Sequence, residues 1–217
     1  MRLSSLAPAL VLVALTSFAS PAAAQLCTGN VEVSRRAPVA IGGSLGKGDG
    51  FLSLSPSVVA GLDNFFVRAT VDSTGFENRD ERSLGVFGQV GGQFHSGRLH
   101  ACPSVSVGRT SGPDTDDYTL SSKSVYGGVV LGFIARETAT ARIVPSLNLS
   151  LSRYSSTFDW GEDFELGKAS GTAKAAAFGV GYVRDHFSIQ PSVLLSFAGG
   201  EVNPAYYLEV YWSPGTR

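Results

Sequence analysis

The chain has 217 residues, a formal net charge of −1 at pH 7 and 43% hydrophobic residues. The balanced charge and the lack of a basic run argue against a nucleic-acid partner, and the apolar content argues against a disordered chain. The length suits one domain, but only 16% of the residues are charged, whereas about 25% is typical of a soluble domain.

The N-terminus has the pattern of a secretory signal. Met1-Arg2-Leu3 precedes an apolar run from Leu6 to Phe18, which ends in Ala22-Ala23-Ala24. This pattern predicts cleavage after Ala24, and the run is shorter than the roughly 20 residues of a membrane-spanning helix. We therefore predict a signal peptide at 1–24, a periplasmic N-terminal segment at 25–35 and a folded domain at 36–217.

Beyond the signal, the dominant pattern is alternation with a period of two, which is typical of β-strands with two different faces. In one stretch, Phe65, Val67 and Val71 share one face, and Arg68 and Asp72 share the other. The same pattern along the chain predicts ten strands, at 37–46, 51–61, 65–75, 83–94, 99–109, 123–136, 140–152, 172–184, 187–197 and 205–212. Their lengths are close to the roughly 9–11 residues that a tilted strand needs to cross a bilayer, or exceed it.

The connections between these strands alternate between short and long. Tight turns are predicted at 62–64, 95–98, 137–139 and 185–186, and longer connections at 47–50, 76–82, 110–122, 153–171 and 198–204. Bacterial membrane barrels have short periplasmic turns and longer extracellular loops. An even number of strands also returns both termini to the periplasmic side.

Aromatic strand ends and a polar second face favour a membrane barrel over a soluble one. The aromatic residues that suggest an interfacial girdle are Phe51, Phe65, Phe94, Phe187, Phe197, Tyr206 and Trp212. Small polar residues and glycine occupy much of the second face, where a soluble barrel needs an aliphatic core. Pro56, Pro103, Pro145 and Pro191 fall within strands, where each removes a ladder donor and favours a bulge.

The sequence therefore predicts an all-β fold: a closed, antiparallel, up-and-down transmembrane β-barrel. About ten strands are expected, or eight if the first pair lies outside the barrel.

Three segments carry a resemblance to known proteins. They are the signal ending in Ala22-Ala23-Ala24, the glycine-rich strand at 85–92 and the aromatic last strand at 206–212. The chain resembles the small bacterial outer-membrane β-barrels of the opacity-protein and porin-like group. The resemblance implies a location in the outer membrane, contact with membrane lipid and lipopolysaccharide, and recognition by the barrel-insertion machinery.

Charged residues on the inward face form the first candidate site. This lumen charge network comprises Arg36, Arg68, His100, Arg142 and Glu209. It has two interpretations: a charged network that fills a narrow barrel, or a basic constriction that selects small anions.

The two cysteines form the second candidate site. Cys27 lies in the N-terminal segment and Cys102 near the periplasmic end of the fifth predicted strand. Because the export route is oxidising, a Cys27–Cys102 disulfide is chemically reasonable, and two unpaired thiols are the alternative.

Metal binding and catalysis have weaker support. Acidic residues crowd the loops 110–122 and 153–171 and could hold calcium, but the spacing matches no EF-hand, and a solvated loop explains them as well. The three histidines, His95, His100 and His186, fall at the periplasmic end, and no Gly-x-Ser-x-Gly elbow is present. We expect no enzyme activity, no cofactor and no defined metal site.

Three functions remain open at this point. The first is a structural or interaction barrel that presents the loops 110–122 and 153–171 to an extracellular ligand. The second is a narrow passive pore for small solutes. The third is a soluble, periplasmic, lipocalin-like binding protein.

Overall fold

Every regular element in the described part of the chain is a β-strand. The computed structural model describes residues 26–27, 31–32, 39–62, 64–77, 82–114, 119–159, 167–184, 186–198 and 201–214. The signal predicted at 1–24 lies outside the described residues. Within them, no helix is long and apolar enough to cross a membrane.

Ten strands form a closed antiparallel ring. They are β1 (Val39–Gly48), β2 (Phe51–Leu62), β3 (Phe65–Phe76), β4 (Arg82–Gly92), β5 (Leu99–Asp114), β6 (Thr119–Phe133), β7 (Ala141–Asp159), β8 (Gly167–Arg184), β9 (Phe187–Ala198) and β10 (Glu201–Trp212). Each strand pairs with the next, and β10 pairs with β1 from Ala205↔Gly48 to Trp212↔Ile41. The predicted ten-strand barrel is confirmed. The eight-strand alternative is wrong because β1 and β2 both belong to the ring.

The two ends of the barrel differ. At the short-turn end lie the connections around Asn64, Gly97, Thr138 and His186, together with the start of β1 and the end of β10. Backbone hydrogen bonds link neighbouring turns there: Gln93 N donates to Asn64 O, and Ser213 N donates to His186 O, each at 2.7 Å. At the other end, which we call the long-hairpin end, the longest strands, β5–β8, form two extended hairpins. Each of these four strands has 15 to 19 residues.

The loops predicted at 110–122 and 153–171 are largely strand, so those boundaries are wrong. β5 runs to Asp114 before β6 begins at Thr119, and β7 runs to Asp159 before β8 begins at Gly167. Serine, threonine and lysine occupy both faces of these extensions, so the apolar alternation disappears while the hydrogen-bonded ladder continues. The remaining connections, 115–118 and 160–166, lie outside the described residues.

The two faces of the wall differ as the alternation predicts. On β4, Leu84, Val86 and Val90 point outward and are 54–63% exposed, whereas Ser83 points inward and is 7% exposed. Five of the seven predicted girdle residues are exposed on the outer face: Phe65, Phe187, Phe197, Tyr206 and Trp212.

Two predicted girdle residues lie elsewhere. Phe51 lies on the opposite face of β2 from the exposed Leu52 and Leu54, and it lines an interior cavity with Tyr207. Its assignment to the outer girdle is therefore wrong. Phe94 is half-buried in the short strand Phe94–Ser96 that extends the β4–β5 hairpin.

The prolines interrupt the ladder on one side of their strands, as predicted, but cause no bulge. Each of Pro56, Pro103, Pro145 and Pro191 is paired with one neighbouring strand at a constant register. On the other side no pair includes the proline: the β2–β3 and β8–β9 ladders skip Pro56 and Pro191, and the β4–β5 and β6–β7 ladders end next to Pro103 and Pro145. Among the described pairs of β5 and β6, the register shifts between Ser111 and Asp114. Gly112 lies there with φ of 89°, a backbone conformation that glycine adopts at little cost.

Candidate functional site: the interior of the barrel

Five aromatic side chains that face the interior are paired with glycines on the neighbouring strand. The directly paired residues are Gly42 with Tyr211, Gly46 with Tyr207, Gly91 with Phe66, Gly108 with Phe87, and Gly171 with Tyr154. In each pair, a Cβ on the glycine would overlap the aromatic side chain. The glycines therefore leave the space in which aromatic rings cross the interior of a narrow barrel.

A buried apolar layer crosses the interior near the short-turn end. Phe66 is 2% exposed and Tyr211 1%, and they pack in one cluster with Ala40, Val59 and Cys102. Val130 is packed against this cluster. We call these six residues the floor layer. Because they come from β1, β2, β3, β5, β6 and β10, the layer joins more than half of the strands.

Arg68 and Glu209 lie above the floor layer. The guanidinium of Arg68 is 5.5 Å from the centre of the Tyr211 ring, within the range of a cation–π contact. The Tyr211 hydroxyl hydrogen-bonds to the Ser57 hydroxyl at 2.9 Å. Arg68 Nε and Glu209 Oε2 are buried atoms with no hydrogen-bond partner among the described residues. Both side chains therefore have unused hydrogen-bonding capacity in the interior.

Two interior cavities meet at Arg68. One has a volume of about 310 Å³ and is lined by Arg68, Glu209, Asn148 and the serines of β5, β7 and β9. The other has a volume of about 470 Å³ and is lined by Arg68, Asp72 and Tyr207 among others. Arg68 lines both cavities, so a solute in either one would meet its charge.

The wall of the cavity that Glu209 lines carries amide and hydroxyl groups, some of which are hydrogen-bonded to each other. Gln89 Nε2 donates to Ser104 Oγ at 2.9 Å, and Gln190 Nε2 donates to Ser146 Oγ at 3.1 Å. Amide and hydroxyl groups of this kind suit water or a small polar solute. They are unsuited to an aliphatic ligand, which would leave them without partners.

The structure divides the predicted lumen charge network. Arg68 and Glu209 line the same cavity. Arg142 lies nearer the short-turn end, where its Nε donates to Glu137 Oε1 at 2.7 Å. His100 is 5% exposed, and its ring centre is 6.3 Å from that of His95. Arg36 lies outside the described residues.

The disulfide stays a prediction. Cys102 is 2% exposed in the floor layer. The short strand Leu26–Cys27, which pairs with Val31–Glu32, lies against β5, the strand that carries Cys102. A Cys27–Cys102 bridge would therefore tie the N-terminal segment to the floor layer.

Residue-by-residue reasoning missed several interior groups. Asp72 accepts hydrogen bonds from Ser55 Oγ and Thr74 Oγ1, and Tyr207 and Tyr211 supply rings to the wall. All three share the inward parity of Arg68 or Glu209 on their own strands. Parity was therefore a signal that could have found them.

No group of three or more potential metal-ligating side chains occurs among the described residues. The acidic connections 115–118 and 160–166, on which the calcium hypothesis depends, lie outside them.

Comparisons with known proteins give a resemblance at the level of architecture. No protein-family model matches the chain, and no curated protein matches it in sequence. The N-terminal β-barrel domain of Pseudomonas aeruginosa OprF is 13% identical, with 81% of this chain and 96% of that chain covered and a TM-score of 0.36. Ail, the attachment invasion locus protein of Yersinia pestis, is also 13% identical, with coverages of 81% and 95% and a TM-score of 0.41.

The translocator domain of the autotransporter NalP from Neisseria meningitidis is 9% identical, with 96% of this chain and 95% of that chain covered and a TM-score of 0.44. All three TM-scores lie below 0.5.

Proposed function

We propose that the chain is a non-enzymatic β-barrel of the bacterial outer membrane, with a sealed interior and a structural or surface-interaction role. The observation that carries the proposal is the apolar outer face. Large exposed hydrophobic residues occur on all ten strands, with Leu45, Leu54, Val71, Val86, Val107, Leu131, Leu151, Val180, Phe197 and Tyr206 as one example from each.

A surface of this kind suits lipid and not water. A soluble protein rarely exposes a contiguous apolar patch of more than a few hundred Å², whereas this face continues around the whole ring. In lipid every backbone amide needs a partner, and a closed barrel supplies one for each. The apolar face therefore argues against the soluble, lipocalin-like alternative.

The difference between the two ends supports one orientation. Short turns face the periplasm in bacterial barrels, and longer segments face outward. We therefore assign the short-turn end to the periplasm and the extended β5–β8 hairpins to the cell exterior. In this orientation the hairpin tips, at 115–118 and 160–166, are the segments offered to an extracellular ligand.

The floor layer supports a sealed interior. Phe66 and Tyr211 are almost fully buried, the Tyr211 hydroxyl is held by Ser57, and Arg68 lies over the Tyr211 ring. A solute that crossed the barrel would have to displace these side chains. The cavities above the floor layer are then a vestibule that opens toward the exterior.

Single-channel recording in planar bilayers tests the sealed interior. We expect the wild-type chain to show no stable conductance, and the variant F66G/Y211G to conduct because it removes two rings from the floor layer. The matched control F65G/Y206G removes the same residue types from the lipid-facing side, where Phe65 and Tyr206 are 58% and 62% exposed, and should stay silent.

Steady conductance of the wild-type chain would contradict the sealed interior and favour the second candidate, a narrow pore. The observation that favours a pore is the presence of Arg68 in the lining of both interior cavities. A pore would prefer anions, and R68Q would weaken that preference. Slower migration on a gel after boiling would confirm that each variant is folded.

A further inference from the structure

A basic residue ends the apolar outer face on each of four consecutive strands. On β5 the outward residue after Val107 is Arg109, and on β7 the outward residue after Leu151 is Arg153. Lys123 of β6 and Lys174 of β8 occupy the equivalent positions. All four side chains are exposed, and we call them the basic arc.

The strand registers make the members of the basic arc neighbours. Arg109 and Lys123 are direct cross-strand partners. Arg153 pairs with Val125 on one side and with Thr172 on the other, so Lys123 and Lys174 lie diagonally next to it. Residues in such positions are about 5–8 Å apart. The basic arc is therefore continuous across four strands.

The positive charges of the arc repel one another unless negatively charged groups neutralise them. Like charges directly opposite each other destabilise a sheet, and no ion pair within the described residues involves any of the four side chains. Among the described side chains of β5–β8, one is a carboxylate, Asp159, and it lies at the far tip of β7. The acidic residues of the connections 115–118 and 160–166 lie further along the chain, beyond the strand ends.

The opposite side of the barrel differs. On β1, Lys47 follows Leu45 at the same transition from apolar to polar residues, and its Nζ lies 3.9 Å from Glu77 Oε1. β4, next to the arc, has one outward basic residue, Arg82, which lies beyond Leu84 and further out than Arg109. β2, β3, β9 and β10 have no basic residue on their described outer faces. The positive charge at this level is therefore concentrated on one side.

We propose that the basic arc binds the phosphate groups of lipopolysaccharide in the outer leaflet. This inference rests on the proposed outer-membrane location and orientation, which put the arc at the boundary between acyl chains and head groups. Arginine pairs with phosphate through two parallel hydrogen bonds, and lysine adds a point charge. An anionic lipid head group matches the positive charge of the arc and also its position at the outer edge of the apolar face.

The test measures lipid binding by the refolded full-length barrel in neutral detergent. The probes are bis-phosphorylated lipid A and the same lipid after its phosphates have been removed. The variant R109Q/K123Q/R153Q is compared with R98Q/R136Q/K47Q, which neutralises the same residue types at exposed positions outside the arc. Native mass spectrometry reports the lipid bound, and the slower migration of boiled samples on a gel reports the closed barrel.

We expect the wild-type barrel to prefer phosphorylated lipid A and the arc variant to bind it about tenfold or more weakly, while the control variant binds nearly as the wild type does. Equal binding by the arc variant, an equal loss in the control variant, or equal binding of the dephosphorylated lipid would overturn the proposal. Complete displacement of the lipid by millimolar inorganic phosphate would also overturn it, because the site would then bind free phosphate. If a closed barrel, whose migration slows after boiling, gave any of these results, only the proposal about the basic arc would be overturned. A wild-type chain without that shift would overturn both the arc and the membrane barrel.

Discussion

At the scale of single residues, glycine positions determine where rings can cross the interior. Gly108 pairs directly with Phe87, and a Cβ on Gly108 would overlap that ring. Phe87 also contacts Tyr126 edge to face, with ring centres 6.2 Å apart. A side chain at residue 108 would therefore displace the Phe87 ring and disturb the contact with Tyr126.

We predict that Gly108→Val lowers the free energy of unfolding by about 1–3 kcal/mol, the usual cost of overpacking. The matched control is Gly88→Val, because a Cβ on the outward-facing Gly88 meets no atom within 4 Å. The measurement is urea unfolding of each refolded barrel in lipid vesicles. Equal stability of the two variants would show that the interior has room for the added side chain.

The alternation of residues along a strand was enough to place Arg68 and Glu209 inside the barrel, and it could also have added Asp72 to the predicted network, because each strand alternates strictly between its two faces. Parity alone could not predict the partners of these residues. Arg142 has an inward parity, yet it bonds to Glu137, and Glu137 was assigned to a turn. Which charges meet depends on strand tilt and register, and the sequence pattern does not specify these quantities.

At the scale of strands, the sequence predicted all ten elements but not their full lengths. The contrast between the two faces of a strand is a strong signal only over the segment whose outer face is apolar. Above it, Ser155 and Thr172 continue the outer face of β7 and β8, and polar residues on both faces leave no contrast to detect. The ladder continues because each backbone amide still needs a partner.

The same boundary gives a prediction on a single strand. Leu149 and Ser155 both point outward on β7, with Leu149 inside the apolar face and Ser155 beyond Arg153. We expect Leu149→Arg to destabilise the barrel by about 2–4 kcal/mol and Ser155→Arg by about 0–1 kcal/mol, as the cost of a charge depends on its depth in lipid. Unfolding midpoints in vesicles test the difference, and equal effects would contradict the assignment of this face to lipid.

At the scale of the whole molecule, ring closure explains the remaining features together. Closure leaves no strand edge, so the wall can be apolar outside and polar inside without an unpaired backbone. The ten-strand ring brings the start of β1 beside the end of β10, where Ser213 Oγ donates to Val39 O at 2.9 Å. The choice of residues that face inward or outward on this ring determines where the floor layer, the cavities above it and the basic arc lie.

The most direct test of this account is the heat modifiability of the full-length chain in fractionated bacterial membranes. We predict a band in the outer-membrane fraction that migrates faster on a gel before boiling than after it, because a closed barrel resists detergent until it is heated. A soluble periplasmic protein whose migration does not change on boiling would contradict the membrane barrel.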